Sequence, residues 1–138
     1  MDEQVIATFE KSLQRCNEDP AFLDLFYEKF LASSPKIREK FARTDFVHQK
    51  RALRTSFYLI LLAAEDEQKA PAKYLQEIAI THSKKHMDVG AELYDLWLDS
   101  LLETVRQIDP GYDTKVEQAW ERVMGVGIRY LLDNYNRP

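Results

Sequence analysis

Apolar residues recur along most of the chain at intervals of three and four, the spacing that collects them on one face of an α-helix. The first such stretch runs from about Asp2 to Asn17, with Val5, Ile6, Phe9, Leu13 and Cys16 on its inner face. Asp19-Pro20 predicts the start of a second helix, with Asp as cap and Pro in the first turn. Its apolar positions are Phe22, Leu23, Phe26, Tyr27 and Phe30. Ser34-Pro35 repeats the signal for a short helix ending near Phe41. Thr44-Asp45 opens a long one to about Glu65, carrying Phe46, Gln49, Leu53, Phe57 and Ile60, and the polar stretch from Glu65 to Ala70 breaks it. Pro71 restarts a helix with Leu75, Ile78, Ala79 and His82, followed by a loop around Asp88 to Gly90. Leu93, Leu96, Trp97, Leu101 and Val105 line the next helix, which Asp109-Pro110-Gly111 stops. Asp113 caps a last helix whose inner face includes Val116, Trp120, Val123, Met124, Gly127 and Leu131. The pattern predicts an all-α fold of seven helical stretches, five long and two shorter, with strand signals nearly absent and no linker or repeat.

A length of 138 residues suits one domain, 1–138. The net charge of −4 argues against nucleic acid, which needs a basic surface to displace counterions. The densest cationic cluster, Lys50, Arg51 and Arg54, reads as a solvated helix face. Cys16 is the only cysteine, which excludes an internal disulfide and a cysteine-based zinc site and suits a reducing compartment. Met1 to Glu10 is charged and polar, unlike a secretory signal, and the longest apolar run, Phe57 to Ala64, is too short to span a bilayer. These features predict a cytoplasmic protein, monomer or homodimer, with no membrane partner. Seven Phe, seven Tyr and two Trp fill a core generously, and they would also suit a large flat apolar ligand.

Candidate chemistry centres on three histidines, His48, His82 and His86. His82 continues the apolar stripe of Leu75, Ile78 and Ala79, so it faces the interior. A neutral imidazole turned to an apolar space needs a partner for its lone pair, and haem iron is one such partner. His86 follows one turn later, and two histidines at this spacing could bind zinc. No nearby Glu completes a motif of the H-E-x-x-H kind, which weighs against it. His48 precedes Gln49 on the long helix and points sideways, toward solvent, if Gln49, Leu53 and Phe57 face inward.

Several ordered segments resemble the globin family, in particular bacterial single-domain haemoglobins and the globin domain of flavohaemoglobins. Phe26-Tyr27-Glu28-Lys29-Phe30 followed by Ser34 to Phe41 is similar to the family's second helix leading into its haem-packing Phe. Tyr27 falls fourteen residues before Phe41, where these bacterial globins place a distal Tyr. Gln49 with Ala52-Leu53 resembles the distal polar residue and the apolar residue one turn on, and Ile78 to His82 resembles the proximal segment. Tyr94 with Leu101-Leu102, and Ala119-Trp120 with Gly125-Val126, are similar to the last two helices. The region around Tyr135 offers no Glu where flavohaemoglobins place one.

The resemblance implies a globin fold of about seven helices around one haem b (iron protoporphyrin IX), with a short segment between the third and distal helices. It implies His82 as the iron ligand, its other N–H held by a backbone carbonyl or by Tyr94. It implies cofactor contacts from Tyr27, Phe41, Gln49, Leu53, Phe57, Ile78, Tyr94 and Trp97, with no catalytic residue assigned. The implied activity is reversible binding of O₂, CO and NO, as in oxygen transport. Alternatives are an NO dioxygenase served by an external reductase, or a haem-based gas or redox sensor.

Overall fold

The computed structural model describes residues 1–136. Seven helices make up the described chain: α1 (Glu3–Asn17), α2 (Phe22–Ala32), α3 (Pro35–Lys40), α4 (Phe46–Glu65), α5 (Ala70–His82), α6 (Ala91–Ile108) and α7 (Thr114–Asp133). This is the all-α architecture that the apolar spacing predicts. Among the described residues, no helix is long and apolar enough to cross a membrane.

Most helix starts follow their capping residues. Asp2, Ser34, Asp45 and Asp113 each accept a backbone N–H from the first turn they precede. Pro35 and Pro71 occupy first-turn positions, where a missing N–H is harmless. The second helix differs from expectation. Asp19-Pro20 forms a separate turn in which Asp19 accepts the Ala21 N–H at 2.8 Å, and α2 begins only at Phe22. Only α3, with six residues, is truly short.

The core divides into two regions. In one, Trp120 is fully buried among Phe9, Phe22 and Phe57, with ring centroids 4.7, 6.4 and 5.7 Å away. This ties α7 to α1, α2 and α4 by edge-on aromatic contacts. The indole N–H donates to Ser12 Oγ at 2.8 Å, and Ser12 donates to Asp109 Oδ2 at 2.6 Å. Arg15 Nε lies 2.5 Å from Asp109 Oδ1, and the Gly111 N–H donates to the same oxygen at 2.8 Å. Every polar group linked in this series, from Trp120 to Arg15, therefore has a partner. Nearer the far end of α7, Gly127 lets α4 approach closely. A Cβ there would meet Ile60 Cγ1 at 3.0 Å. Beyond this contact the second region opens into a cavity.

Burial pushes the Asp109 carboxyl upward, but bonds from Arg15, Ser12 and the Gly111 N–H outweigh it and hold the group below its ordinary value. Its stabilisation is complete above the ordinary carboxylate range and is lost as pH falls through the depressed folded value. Asp109→Asn should therefore cost about 3 kcal/mol near neutral pH, the scale for breaking a buried ion pair whose other partner is partly solvated. In urea melts at stepped pH the gap between the two chains should narrow in acid. A gap independent of pH would show that the charge of Asp109 contributes nothing.

Candidate functional site

The cavity has a volume of about 480 Å³ and draws its walls from α2 through α7 and from the α5–α6 loop. That volume lies within the range of small-molecule and cofactor sites. α4 contributes Gln49, Leu53 and Ser56, and α5 contributes Leu75, Ile78 and His82. Tyr94 and Trp97 of α6 close one flank, and Gly127, Ile128 and Leu131 of α7 form the inner end. Exposed Lys40, His48, Thr81 and Met87 mark its rim.

His82 ends α5 and is half-buried. Its Nδ1 lies 2.8 Å from the Ile78 carbonyl oxygen, which can only accept, so Nδ1 carries the proton. Thr81 Oγ1, itself donating to the same carbonyl at 3.0 Å, lies 3.0 Å from Nδ1. Of the two partners the sequence allows for this N–H, the carbonyl takes it and Tyr94 does not. In the neutral ring Nε2 then keeps its lone pair. Burial lowers the His82 pKa, and the bond to Ile78 opposes this in part.

Across the site, Tyr27 is almost fully buried. Burial pushes its phenol up to about 12, and the side chain of Gln49 beside it works in the opposite direction. The hydroxyl is thus a neutral donor at any ordinary pH. Tyr94 is also buried, and burial raises its pKa. Its hydroxyl is enclosed on the cavity wall without a hydrogen-bond partner among the described residues.

Eight of the nine residues predicted at the site line the cavity: Tyr27, Phe41, Gln49, Leu53, Ile78, His82, Tyr94 and Trp97. Phe57 does not. It lies fully buried against Phe22 and Trp120, on the side of α4 turned to the aromatic core, while Ser56 and Ile60 before and after it line the cavity. Phe41 packs its ring against Tyr27 at 6.0 Å and Phe30 at 5.8 Å. His48 is exposed, as expected, yet it also contributes to the rim. Lys50 pairs with Asp24 instead of facing the cavity. His86 does not share a helix face with His82, since α5 has already ended and His86 sits in an exposed turn. No group of three or more His, Cys, Asp or Glu that could hold a metal ion occurs among the described residues. Sequence reasoning did not assign Met87 and Val89, cavity-lining residues of an irregular loop that has no periodicity to read.

These features fit an iron porphyrin. The walls are mainly apolar, one imidazole holds a free lone pair, and an enclosed hydroxyl lacks a partner. His82 would ligate the metal, and the apolar wall would hold the ring.

Comparison with known proteins agrees with the fold. No protein-family profile and no curated protein matches the chain. A solved structure from Pseudomonas aeruginosa PAO1, described as structurally highly homologous to a human hemoglobin, is 39% identical to it. The match covers 96% of this chain and 98% of the other, with a TM-score of 0.90. The chain has a globin fold and belongs to the globin family.

The lowered pKa of His82 has a measurable consequence. Above the ordinary value of 6.5, folded and unfolded chains both carry a neutral ring and pH has no effect through this group. Below it the unfolded chain takes up the proton first, so stability falls until pH passes the folded value. Nitrogen NMR of the ligand-free protein should show the Nδ1–H tautomer and a midpoint below 6.5. A midpoint above that value would contradict the buried placement.

Proposed function

We propose that this globin binds haem b through His82 Nε2 and reversibly binds diatomic ligands, O₂, CO and NO, on the Tyr27 side. The observation that carries the reading is the bond from His82 Nδ1–H to the Ile78 carbonyl. It fixes the ring's tautomer and orientation and turns the basic nitrogen loose for a metal. When bound, the iron porphyrin supplies a metal position open to a small ligand.

The chain's own residues do the rest. Phe41, Leu53, Ile78 and Trp97 give the porphyrin apolar contact and limit water. Tyr27 presents a neutral hydroxyl, with Gln49 beside it as a second polar group. A donor here favours O₂, which draws negative charge on binding, over CO, which draws little. His48 stands exposed at the rim, so in this reading it would leave the metal free for a small ligand on the Tyr27 side.

His82→Ala should abolish stable haem uptake, leaving only apolar contacts to hold the ring. The check is haem content together with absorption spectra of the ferric, ferrous and CO forms. Normal content and spectra in the variant would overturn the assignment. Sharp, split visible bands in the ligand-free ferrous protein, lost on His48→Ala, would instead put His48 on the metal.

Tyr27→Phe should speed O₂ dissociation about tenfold or more, since a hydrogen bond to a charged acceptor is worth roughly 1.5–3 kcal/mol. CO dissociation should change little. Flash photolysis and stopped-flow mixing give both rates, and equal effects on the two ligands would assign Tyr27 a steric role.

A further inference from the structure

Five large apolar side chains are exposed among the described residues, and three of them belong to α4: Val47 at 70%, Tyr58 at 47% and Leu62 at 37%. They share one outer stripe with Arg51, Arg54 and Glu65, because these six positions follow one another at intervals of three and four. The stripe runs the length of the helix, on the far side from Gln49 and Ser56, which line the cavity. Asn17 Nδ2 donates to the Tyr58 hydroxyl at 3.1 Å, which steadies that ring at the surface.

Charge is distributed unevenly along the stripe. Its first half is cationic, with Arg51 and Arg54, and exposed Arg43 stands just before the helix. Its end is anionic, with Glu65 and the C-cap residue Asp66. None of these five groups has an ion pair among the described residues, although nearby Lys50 is paired with Asp24 and Glu67 with the Met1 ammonium. From start to end the face therefore presents a cation, an apolar group and a cation, then an aromatic ring, an apolar group and an anion.

Turned end for end about a two-fold axis between Arg54 and Thr55, this face complements itself. Val47 and Leu62 lie equally far from the axis along the chain, so each Val47 meets Leu62 of the second copy. Arg51 and Tyr58 are equidistant too, which sets a guanidinium against an aromatic ring. So are Arg43 and Asp66, which closes both ends with ion pairs. Each contact occurs twice, as the symmetry of a closed dimer requires. Arg54 alone meets its own like charge near the axis, and its long side chain can turn out to solvent. A uniformly anionic occupant, such as an acidic membrane surface, would suit the arginines but repel Glu65 and Asp66.

We propose that the outer face of α4 is the interface of a homodimer in which two copies pack this helix antiparallel about that axis. The interface lies away from the cavity and does not rest on the haem reading. One pair of 20-residue helices buries on the order of 1,000 Å² in total, the lower limit of specific interfaces, so the dissociation constant is expected on the order of 100 μM.

Sedimentation equilibrium of the full chain as purified, carried to millimolar concentration, should show monomer and dimer in exchange. Leu62→Asp should weaken association about tenfold or more, because it places a charge in the seam. Arg43→Asp and Asp66→Arg should each weaken it, and the double variant, which exchanges the charges, should recover. Circular dichroism confirms that each variant keeps its helices. Cys16 is buried, so introduced thiols report alone. On oxidation with diamide, a mixture of Val47→Cys and Leu62→Cys should form the mixed disulfide several-fold faster than either variant forms its symmetric one.

A chain that stays monomeric at millimolar concentration overturns the interface. So does a dimer indifferent to Leu62→Asp and to the charge exchange, since its contact lies elsewhere. Faster symmetric disulfides overturn the antiparallel register. Binding of the monomer to phosphatidylglycerol vesicles, lost in Arg51→Glu and with no dimer in solution, assigns the stripe to a membrane surface and overturns the proposal.

Discussion

Trp120 is the contact on which the rest of the packing depends. Its ring meets Phe9, Phe22 and Phe57, and its N–H begins the chain of bonds through Ser12 to Asp109 and Arg15. Four helices and the turn after α6 thus converge on one side chain. The walls of the cavity of about 480 Å³ keep their places only if the helices behind them are fixed, and the close-packed aromatic half fixes them. Directional bonds also hold α1 and α7 in one register, so the helices are less free to slide and close the space. Small residues assist where α4 and α7 must meet, with Gly127 against Ile60 at the cavity's inner end.

α4 shows how one helix serves both halves. It presents Gln49, Leu53, Ser56 and Ile60 to the cavity, and Phe57, Ala63 and Ala64 to the packed core. The apolar stripe is continuous, with nothing in its periodicity to mark where cavity gives way to core. The resemblance that implies a cofactor contact for Phe57 rests on the same order of residues and cannot mark that boundary either. Spacing fixes the buried face of a helix, but the neighbours of each residue depend on how the other helices cross it.

The same distinction explains what was legible elsewhere. The seven helices and most of their starts could be read because caps and prolines act locally, through the N–H groups of a single turn. Asp19-Pro20 misled because Asp19 uses its carboxylate on a tight turn before α2. The inward facing of His82 could be read from its place on an apolar stripe, whereas the choice between the Ile78 carbonyl and Tyr94 for its N–H required three-dimensional geometry. Met87 and Val89 were illegible, because they belong to an irregular loop that has no periodicity to read.

Burial does more at this site than bring residues together, because it also fixes their charge. It lowers the affinity of His82 for a proton and raises that of Tyr27 and Tyr94, so each of the three is driven toward its neutral form. Yet the outcomes differ in chemistry. A neutral imidazole whose Nδ1–H is already committed to Ile78 offers a lone pair, and a neutral phenol offers a proton to share. One physical effect, exclusion of water from the cavity, therefore produces an electron-pair donor from α5 and a hydrogen-bond donor from α2. Neither role needs a charged neighbour, and no carboxylate lines the cavity among the described residues. The polarity of the site thus follows from depth of burial, which in turn follows from the aromatic half of the core that keeps the cavity's walls in place.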